Sequence, residues 1–261
     1  MALFHAELYS GVLGMQTEVN VILPNRLRDG MAGPGAKREG PLQALYLLHG
    51  MSDNHMAWCR QTSIERYAAE YNLAVVMPTT GLYWYTDAPG GQKWWTYVSR
   101  ELPELIHDFF PGISTLPEHT FAAGLSMGGY GALKLGLRGG GRFSCVASLS
   151  GAVNIARDHE KPGADDENTY FNGIFGTNEA ATGSFNDLVS AAEALADADR
   201  PRVYMWCGTE DFLYGQNAVM RDHLTRLGYD LTYEESPGDH QWKYWDEKIR
   251  RVLEWLPLRR G

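Results

Sequence analysis

The sequence predicts an α/β fold in which a mostly parallel sheet is covered by helices on both faces. Short, nearly continuous apolar runs, typical of strands buried on both faces, recur at 44–48, 73–77, 120–123, 145–149 and 203–207. Between them lie segments in which apolar residues recur at the helical period of 3.6 residues. Strands that alternate with helices in this way form a parallel sheet with helices packed on each side.

The predicted elements follow one another in a regular order. Two extended segments, 3–10 and 15–23, come first, and a surface loop rich in Gly, Pro and charge is predicted at 28–41. The main helical patterns lie at 64–71, 98–109, 128–137 and 213–227, before a last strand at 231–235 and a helix at 242–255. The 261 residues, 44% of them hydrophobic, are enough for a single domain spanning 1–261.

The segment 151–199 interrupts this alternation. It begins with polar, Gly-containing sequence and carries short helix candidates at 167–175 and 186–196. An insertion here would follow the carboxyl end of a strand, where open α/β sheets place their ligand sites. We therefore interpret 151–199 as a small inserted cap over a pocket.

Charge and cysteine content exclude several classes of protein. Asp and Glu outnumber Lys and Arg by 32 to 23, a net charge of −9, whereas nucleic-acid binding requires clustered positive charge. No run of about 20 apolar residues predicts a membrane span, and the first ten residues do not resemble a signal peptide. The three cysteines, an odd and sparse set, are typical of free thiols in a reducing cytoplasm, where we expect the protein to act.

A G-x-S-x-G motif at 124–128 is the strongest indication of function. In this motif the serine, here Ser126, lies on a strained turn between a strand and a helix, and the flanking glycines leave room for crowded backbone. The neighbouring sequence provides the strand and the helix that this motif requires, because the apolar run 120–123 precedes it and the helical pattern 128–137 follows it. We therefore predict an α/β-hydrolase fold with Ser126 as the catalytic nucleophile.

A serine nucleophile needs a general base, and in this fold the chain order is serine, acid, histidine. Three histidines follow Ser126, namely His159 in the polar insertion, His223 within a predicted helix, and His240. His240 comes after the strand 231–235 and a Pro-Gly turn, which is where a catalytic histidine belongs. We therefore expect His240 to be the base.

The acid that orients this histidine is expected just after the strand 203–207. Both Glu210 and Asp211 lie there, and the residue pattern does not separate them. Whichever of the two does not face the histidine is expected to cap the following helix. Asp239 is adjacent to His240 in sequence and is therefore poorly placed to reach its Nδ1 atom.

Two backbone N–H groups are needed to stabilise the oxyanion of a tetrahedral intermediate. One is expected from Met127, directly after the nucleophile, and the other from the loop after the strand 44–48, where we choose Met51. Gly50 would let this backbone turn inward and line the substrate pocket. His49 is interpreted as a structural residue that holds the loop by hydrogen bonds.

Aromatic residues are unusually dense at 83–85 and 94–97. They could wall an acyl or sugar pocket, for which Trp84 and Trp95 are the candidates, or pack as ordinary core and surface rings. No His, Cys or Asp pattern has the spacing of metal ligands, so neither a metal nor another cofactor is expected.

Four motifs together resemble the esterase D group of α/β-hydrolases. They are YLLHGMSDNHMAW at 46–58, GLSMGGYGAL at 124–133, CGTEDFLY at 207–214 and GDHQWKYWD at 238–246. Within this group the chain looks most like the bacterial tributyrin esterases, which are similar to carbohydrate acetyl and feruloyl esterases. The resemblance covers nearly the whole chain.

The resemblance also implies which residues form the site. It implies Ser126 as nucleophile, His240 as base and Asp211, rather than the glutamate before it, as acid. It implies Met51 and Met127 as oxyanion donors. The expected activity is that of a serine carboxylesterase that hydrolyses short-chain acyl esters through a covalent acyl-enzyme.

Other functions stay open at this stage. Feruloyl or carbohydrate acetyl esters are alternative substrates, as is the thioester S-formylglutathione. The hydrolases of that thioester, which belong to the same group, typically carry a histidine where this chain has Tyr130, and this departure weakens that alternative. A peptidase, or a ligand-binding α/β-hydrolase without turnover, would be a different class of protein. The family likeness makes a homo-oligomer plausible, with a small-molecule ester as the expected binding partner.

Overall fold

The computed structural model describes residues 1–24, 40–71 and 73–259, and within these residues an eight-stranded sheet forms the centre of the protein. Its strands are β1 (Ala2–Ser10), β2 (Met15–Leu23), β3 (Ala44–Leu48), β4 (Ala74–Pro78), β5 (Thr120–Leu125), β6 (Cys145–Leu149), β7 (Arg202–Gly208) and β8 (Leu231–Ser236). The order across the sheet is β1-β2-β4-β3-β5-β6-β7-β8. Strands β3 to β8 run parallel, and β1 and β2 pair antiparallel at one edge. The predicted mostly parallel sheet is confirmed.

The helices follow the predicted order with several differences at their ends. They are α1 (Ala57–Gln61), α2 (Ile64–Ala69), α3 (Trp94–Thr96), α4 (Leu102–Phe109), α5 (Met127–Arg138), α6 (Asp165–Phe175), α7 (Asn178–Ala181), α8 (Leu188–Ala194), α9 (Tyr214–Arg226) and α10 (Trp242–Trp255). A π-helical stretch, Tyr97–Glu101, joins α3 to α4, so the helix predicted at 98–109 begins earlier than expected. The short helices α1, α3 and α7 were not predicted, because each is shorter than the window in which a helical period can be recognised. The loop predicted at 28–41 lies, except for its last two residues, outside the described residues.

Both faces of the central strands β3 to β6 are buried, as the apolar runs predicted. Along β3, Tyr46 and Leu48 belong to the core on one face, whereas Leu45 and Leu47 belong to the core on the other. Successive side chains of a strand point to opposite faces, so a strand buried on both sides must be apolar at every position. Burying one such leucine contributes about 2 kcal/mol to folding.

The sheet brings four loops together at the carboxyl ends of its parallel strands. The loop after β3 carries residues 49–53, and the turn after β5, the strand beside β3, carries Ser126. The loops after β7 and β8 carry Asp211 and His240. Residues 151–199, which include α6 to α8, follow β6 and lie at this same end of the sheet. None of the helices in the described ranges has the length and apolar character needed to cross a bilayer.

Candidate active site

The turn that carries Ser126 has a conformation that few residues other than glycine adopt. Ser126 has φ of 52° and ψ of −117°, between the last residue of β5 and the first of α5. A Cβ atom on Gly124 would lie 2.3 Å from the carbonyl oxygen of Gly128, and one on Gly128 would lie 2.4 Å from the carbonyl oxygen of Leu48. Both distances are far below van der Waals contact, so the two glycines of the motif are required by close backbone packing.

A chain of hydrogen bonds links this serine to a histidine and a buried carboxylate. The Ser126 Oγ atom lies 3.0 Å from Nε2 of His240, and Nδ1 of His240 lies 2.8 Å from Oδ2 of Asp211. The Asp211 side chain is 0% exposed and that of His240 is 21% exposed. The residues predicted as nucleophile, base and acid are therefore brought together, although 114 positions separate the serine from the histidine.

The Asp211 carboxylate is stabilised in its charged form. Burial would raise its pKa, but the hydrogen bonds from His240 and from the backbone N–H of Leu213 outweigh burial and hold the pKa below its ordinary value. An ionised carboxylate at this position accepts the Nδ1 proton of the histidine, so Nε2 presents its lone pair to the serine hydroxyl.

Glu210, the other candidate acid, has a different role. Its carboxylate accepts hydrogen bonds from the Thr209 hydroxyl and from the backbone N–H of Gly238, in the loop that carries the histidine. The loops after β7 and β8 touch at this point, where a Cβ atom on Gly208 would lie 2.1 Å from the Gly238 carbonyl oxygen. Asp211 itself accepts the Leu213 N–H just before α9, so one aspartate both faces the histidine and orders the start of the helix.

The remaining acid and base candidates lie elsewhere. The Asp239 carboxylate accepts a hydrogen bond from the Gln241 side chain. His159 is buried, with ring nitrogens 2.9 Å from the Ile155 carbonyl and 2.8 Å from the Asn172 side-chain oxygen. His223 lies on α9, where its Nε2 is 3.3 Å from the Val189 carbonyl.

The loop after β3 is held beside the nucleophile by His49. Its Nε2 accepts the backbone N–H of Thr80 at 3.0 Å, so Nδ1 carries the proton and donates to the Gly50 carbonyl at 2.8 Å. Burial lowers the pKa of His49 to about 4, which keeps the ring neutral. The Tyr85 hydroxyl donates to the His49 carbonyl at 2.8 Å.

The two predicted oxyanion donors flank the nucleophile. Met127 is the first residue of α5, so its N–H has no partner within the helix. Met51 lies in the loop after β3, next to Gly50, where a Cβ atom would come 3.7 Å from the Ser126 Cβ and 2.6 Å from a Leu125 methyl group. Glycine at this position lets the loop approach the serine closely.

A pocket of about 610 Å³ opens above Ser126 and His240. Gly50, Met51 and Trp84, all predicted near the substrate, line it. Trp95 does not. It is buried beside the Phe185 ring and the Lys134 ammonium group, and the structure does not place it in the lining of this pocket.

Several pocket residues were not predicted. They come from the loop after β3, the 151–199 segment, the loop after β7 and the starts of α9 and α10, namely Asp53, Ala152, Ile155, Asp158, Lys161, Glu167, Phe171, Phe212, Gln216, Trp242 and Trp245. Phe212 is 76% exposed and its ring centroid is 4.6 Å from that of His240. In the sequence, the signal available for Phe212 was an aromatic residue directly after the predicted acid.

Residues that could hold a metal lie away from this pocket. In the described part of the chain, one group of metal-ligating side chains comes together, formed by His5, Glu18 and His55, and none of the three lines the pocket.

The fold and the serine turn define an α/β-hydrolase, and comparisons with known proteins agree. Residues 10–256 match the Esterase family. The chain is 32% identical over 265 residues to an acetyl esterase of Caldicellulosiruptor saccharolyticus, with 98% of each chain covered. It is similar in structure to FphF, a fluorophosphonate-binding serine hydrolase of Staphylococcus aureus, with a TM-score of 0.85, 32% identity and 98% of each chain covered. S-formylglutathione hydrolase FrmB, also from Staphylococcus aureus, gives a TM-score of 0.83 with the same identity and coverage.

The chain therefore belongs to the Esterase family, and the predicted α/β-hydrolase fold and esterase D group are confirmed. It is a carboxylic ester hydrolase.

Proposed function

We propose that this protein is a serine carboxylesterase that hydrolyses short-chain acyl esters through Ser126, His240 and Asp211. The observation that carries the proposal is the hydrogen-bonded chain from Asp211 through His240 to the Ser126 hydroxyl, at the floor of the pocket. Such an arrangement activates a hydroxyl that is otherwise a weak nucleophile.

In the proposed reaction His240 Nε2 takes the proton of Ser126 Oγ as this oxygen attacks the ester carbonyl carbon. Asp211 stabilises the imidazolium that forms. The Nε2 proton is then transferred to the leaving alkoxide oxygen, which departs as an alcohol and leaves an acyl group on Ser126. His240 next deprotonates a water molecule, whose attack on the acyl carbonyl releases the carboxylic acid and restores the serine.

The backbone N–H groups of Met51 and Met127 are proposed to stabilise the oxyanion. Two observations support this assignment, namely the position of the Met127 N–H at the start of α5, where it has no partner within the helix, and the close approach of the Gly50 loop to Ser126. The partial positive charge at the amino terminus of a helix adds to this stabilisation.

The lining of the pocket supports an uncharged ester as substrate. Trp84, Phe171 and Trp245 provide an apolar wall. Asp53 and Asp158, which also line the pocket, add negative charge, whereas Lys161 is paired with Glu167 at 3.0 Å. A glutathione thioester carries two carboxylates, so this charge disfavours it relative to a neutral ester.

The short acyl chain is proposed from the acetyl esterase relative, and two other substrate classes remain candidates. The pocket volume, about 610 Å³, also fits an aromatic acyl group such as ferulate or an acetylated sugar. The likeness to FrmB keeps the thioester as a further candidate. A role in ligand binding without turnover is less favoured, because a serine, a histidine and an aspartate are all present in hydrogen-bonding geometry.

Segment 151–199 is proposed to act as a cap, since Ala152, Ile155 and Phe171 from it line the pocket above the serine. We also propose a reducing compartment such as the cytoplasm, because Cys59, Cys145 and Cys207 are all free thiols. Sedimentation of the purified chain would test the expected homo-oligomer.

The test is a turnover panel with wild type and Ser126→Ala. Its substrates are p-nitrophenyl acetate, butyrate and octanoate, acetylated xylan oligomers, methyl ferulate and S-formylglutathione. We expect the highest kcat/KM on acetate or butyrate and no turnover by the variant. Preference for ferulate, sugar acetate or the thioester would reject the short-chain assignment but keep the mechanism, whereas turnover by Ser126→Ala would reject the mechanism.

A further inference from the structure

Three side chains that bind transition metals meet at the antiparallel edge of the sheet, away from the pocket. His5 lies on β1, Glu18 on β2 and His55 in the loop between β3 and α1. In the register of β1 and β2, His5 pairs with Asn20. Because side chains two positions apart on a strand share a face, Glu18 and Asn20 both lie on the face to which His5 points.

The spacing of these three groups fits a single metal ion. One potential ligand atom from each residue lies within 4.8 Å of those from the other two. The His55 Nδ1 and Glu18 Oε2 atoms are 3.4 Å apart. Two ligands that each lie about 2.0–2.1 Å from a tetrahedral zinc ion are separated by about 3.4 Å, so this pair already has the required distance. The His5 side chain, which is exposed, would have to move closer, and the ion would take the place of the Thr79 hydroxyl, which lies 2.7 Å from His55 Nδ1.

Hydrogen bonds orient the His5 ring and hold the backbone of His55. The fully buried Asn20 donates its Nδ2 hydrogen to the His55 carbonyl at 3.1 Å, so its Oδ1 faces the His5 Nδ1, also at 3.1 Å. His5 therefore carries its proton on Nδ1 and keeps the lone pair of Nε2 free. The Thr79 hydroxyl accepts the His55 backbone N–H at 3.1 Å, which fixes the backbone of this loop. A partner on the ring nitrogen that does not bind the ion, such as Asn20 at His5, fixes the ring of a metal-bound histidine in proteins.

The charge and accessibility of the cluster also suit a cation. Glu18 supplies a negative charge from a side chain that is 45% exposed, so an ion can enter from solvent.

We propose that His5, Glu18 and His55 form a binding site for one Zn²⁺ ion, with water completing its coordination. Two imidazoles and one carboxylate favour zinc over magnesium or calcium, which prefer sets of oxygen ligands. The ion would join β1 and β2 to the loop before α1, and its effect would be on stability. This site is independent of the proposed esterase mechanism.

The experiment is a titration of the EDTA-treated, dialysed full-length protein with ZnSO₄, by calorimetry and by thermal melting, with MgCl₂ in parallel. We expect one zinc ion per chain. Zinc at a hundredfold excess over its Kd should raise the Tm by about 5 °C, and magnesium should not change it.

Two ligand variants and one control assign the binding to this cluster. His5→Ala and Glu18→Gln should each weaken zinc binding about tenfold or more and remove the Tm shift. His107→Ala, which removes an exposed histidine on α4, should bind zinc as the wild type does. A cooperative melt without added metal establishes that each variant is folded. The proposal is overturned if the wild type does not bind zinc, or if either ligand variant binds it as tightly as the wild type.

Discussion

The turn around Ser126 and the wall of the pocket above it are built in different ways. At the turn, backbone geometry dominates. A Cβ atom on either of the two motif glycines would lie only 2.3–2.4 Å from a backbone carbonyl oxygen, so glycine is required at both positions. At the wall, the determining contacts are between side chains from distant segments. Trp84, for example, donates from its Nε1 to the Tyr170 hydroxyl of α6 at 3.0 Å.

This difference separates chemistry from specificity. Substitutions at the turn and its hydrogen-bonded partners should affect turnover on every ester alike. Substitutions in the wall should change the ranking of esters and leave the chemical step in place. Three kinetic predictions test this division, and a fourth concerns the stability of the loop beside the turn.

The largest effect is expected from the nucleophile and base. Ser126→Ala and His240→Ala should each lower kcat on all esters by about a millionfold, because members of a triad act as a unit. Steady-state kinetics on p-nitrophenyl acetate and butyrate measure the loss. A mild effect of His240→Ala would return attention to His223 or His159.

Next in size is the acid. Asp211→Asn should lower kcat by about ten-thousandfold, because an amide no longer stabilises the imidazolium or holds the ring in the correct tautomer. Glu210→Gln is the matched control, since its amide oxygen can still accept from Gly238, and it should lower kcat about tenfold or less. Equal losses in the two variants would contradict the separation of their roles.

A smaller effect concerns the pH dependence of stability through His49. Its pKa is about 4 in the folded protein and 6.5 ordinarily, so the unfolded chain binds the proton more readily. The neutral His49 ring therefore contributes about 3 kcal/mol to the free energy of unfolding. This contribution is fully present above pH 6.5 and is lost as the pH falls toward 4. Urea unfolding at pH 7, 5.5 and 4.5 should show a slope that is flatter in His49→Gln, whose amide oxygen can replace Nε2 as acceptor. Parallel curves for the two proteins would refute this origin.

The smallest effect compares two buried tryptophans. Trp84→Leu should change the ratio of kcat/KM for butyrate and acetate by about tenfold, because Trp84 lines the pocket. Trp95→Leu should leave the ratio within about twofold, although it removes a ring of the same size. Partial unfolding of a variant lowers its activity on both esters equally, so it does not change the ratio of the two kcat/KM values. If Trp95→Leu changed the ratio as much, the pocket would extend further than the structure indicates.

The candidate site was predictable where local sequence and chain order restrict the chemistry. Ser126 follows from a five-residue motif between a strand and a helix, and His240 follows from its place after the last strand. Glu210 and Asp211 could not be separated in this way, since the direction of adjacent side chains after a strand depends on the loop. The two loops that meet at Gly208 and Gly238 decide it, and they assign Glu210 to the backbone and Asp211 to the histidine.

Sequence alone determined the fold class and the family resemblance, because strand burial, helical period and the serine motif are local patterns. Only the tertiary structure decided which aromatic rings face the pocket, since Trp84 and Trp95 both lie in aromatic-rich stretches and differ in the contacts they make. It also brought His5, Glu18 and His55 together from three separate segments, a proximity that strand pairing creates and that no spacing along the chain reveals. The physical reason is that a side chain's partners depend on how distant segments pack, which periodicity does not encode.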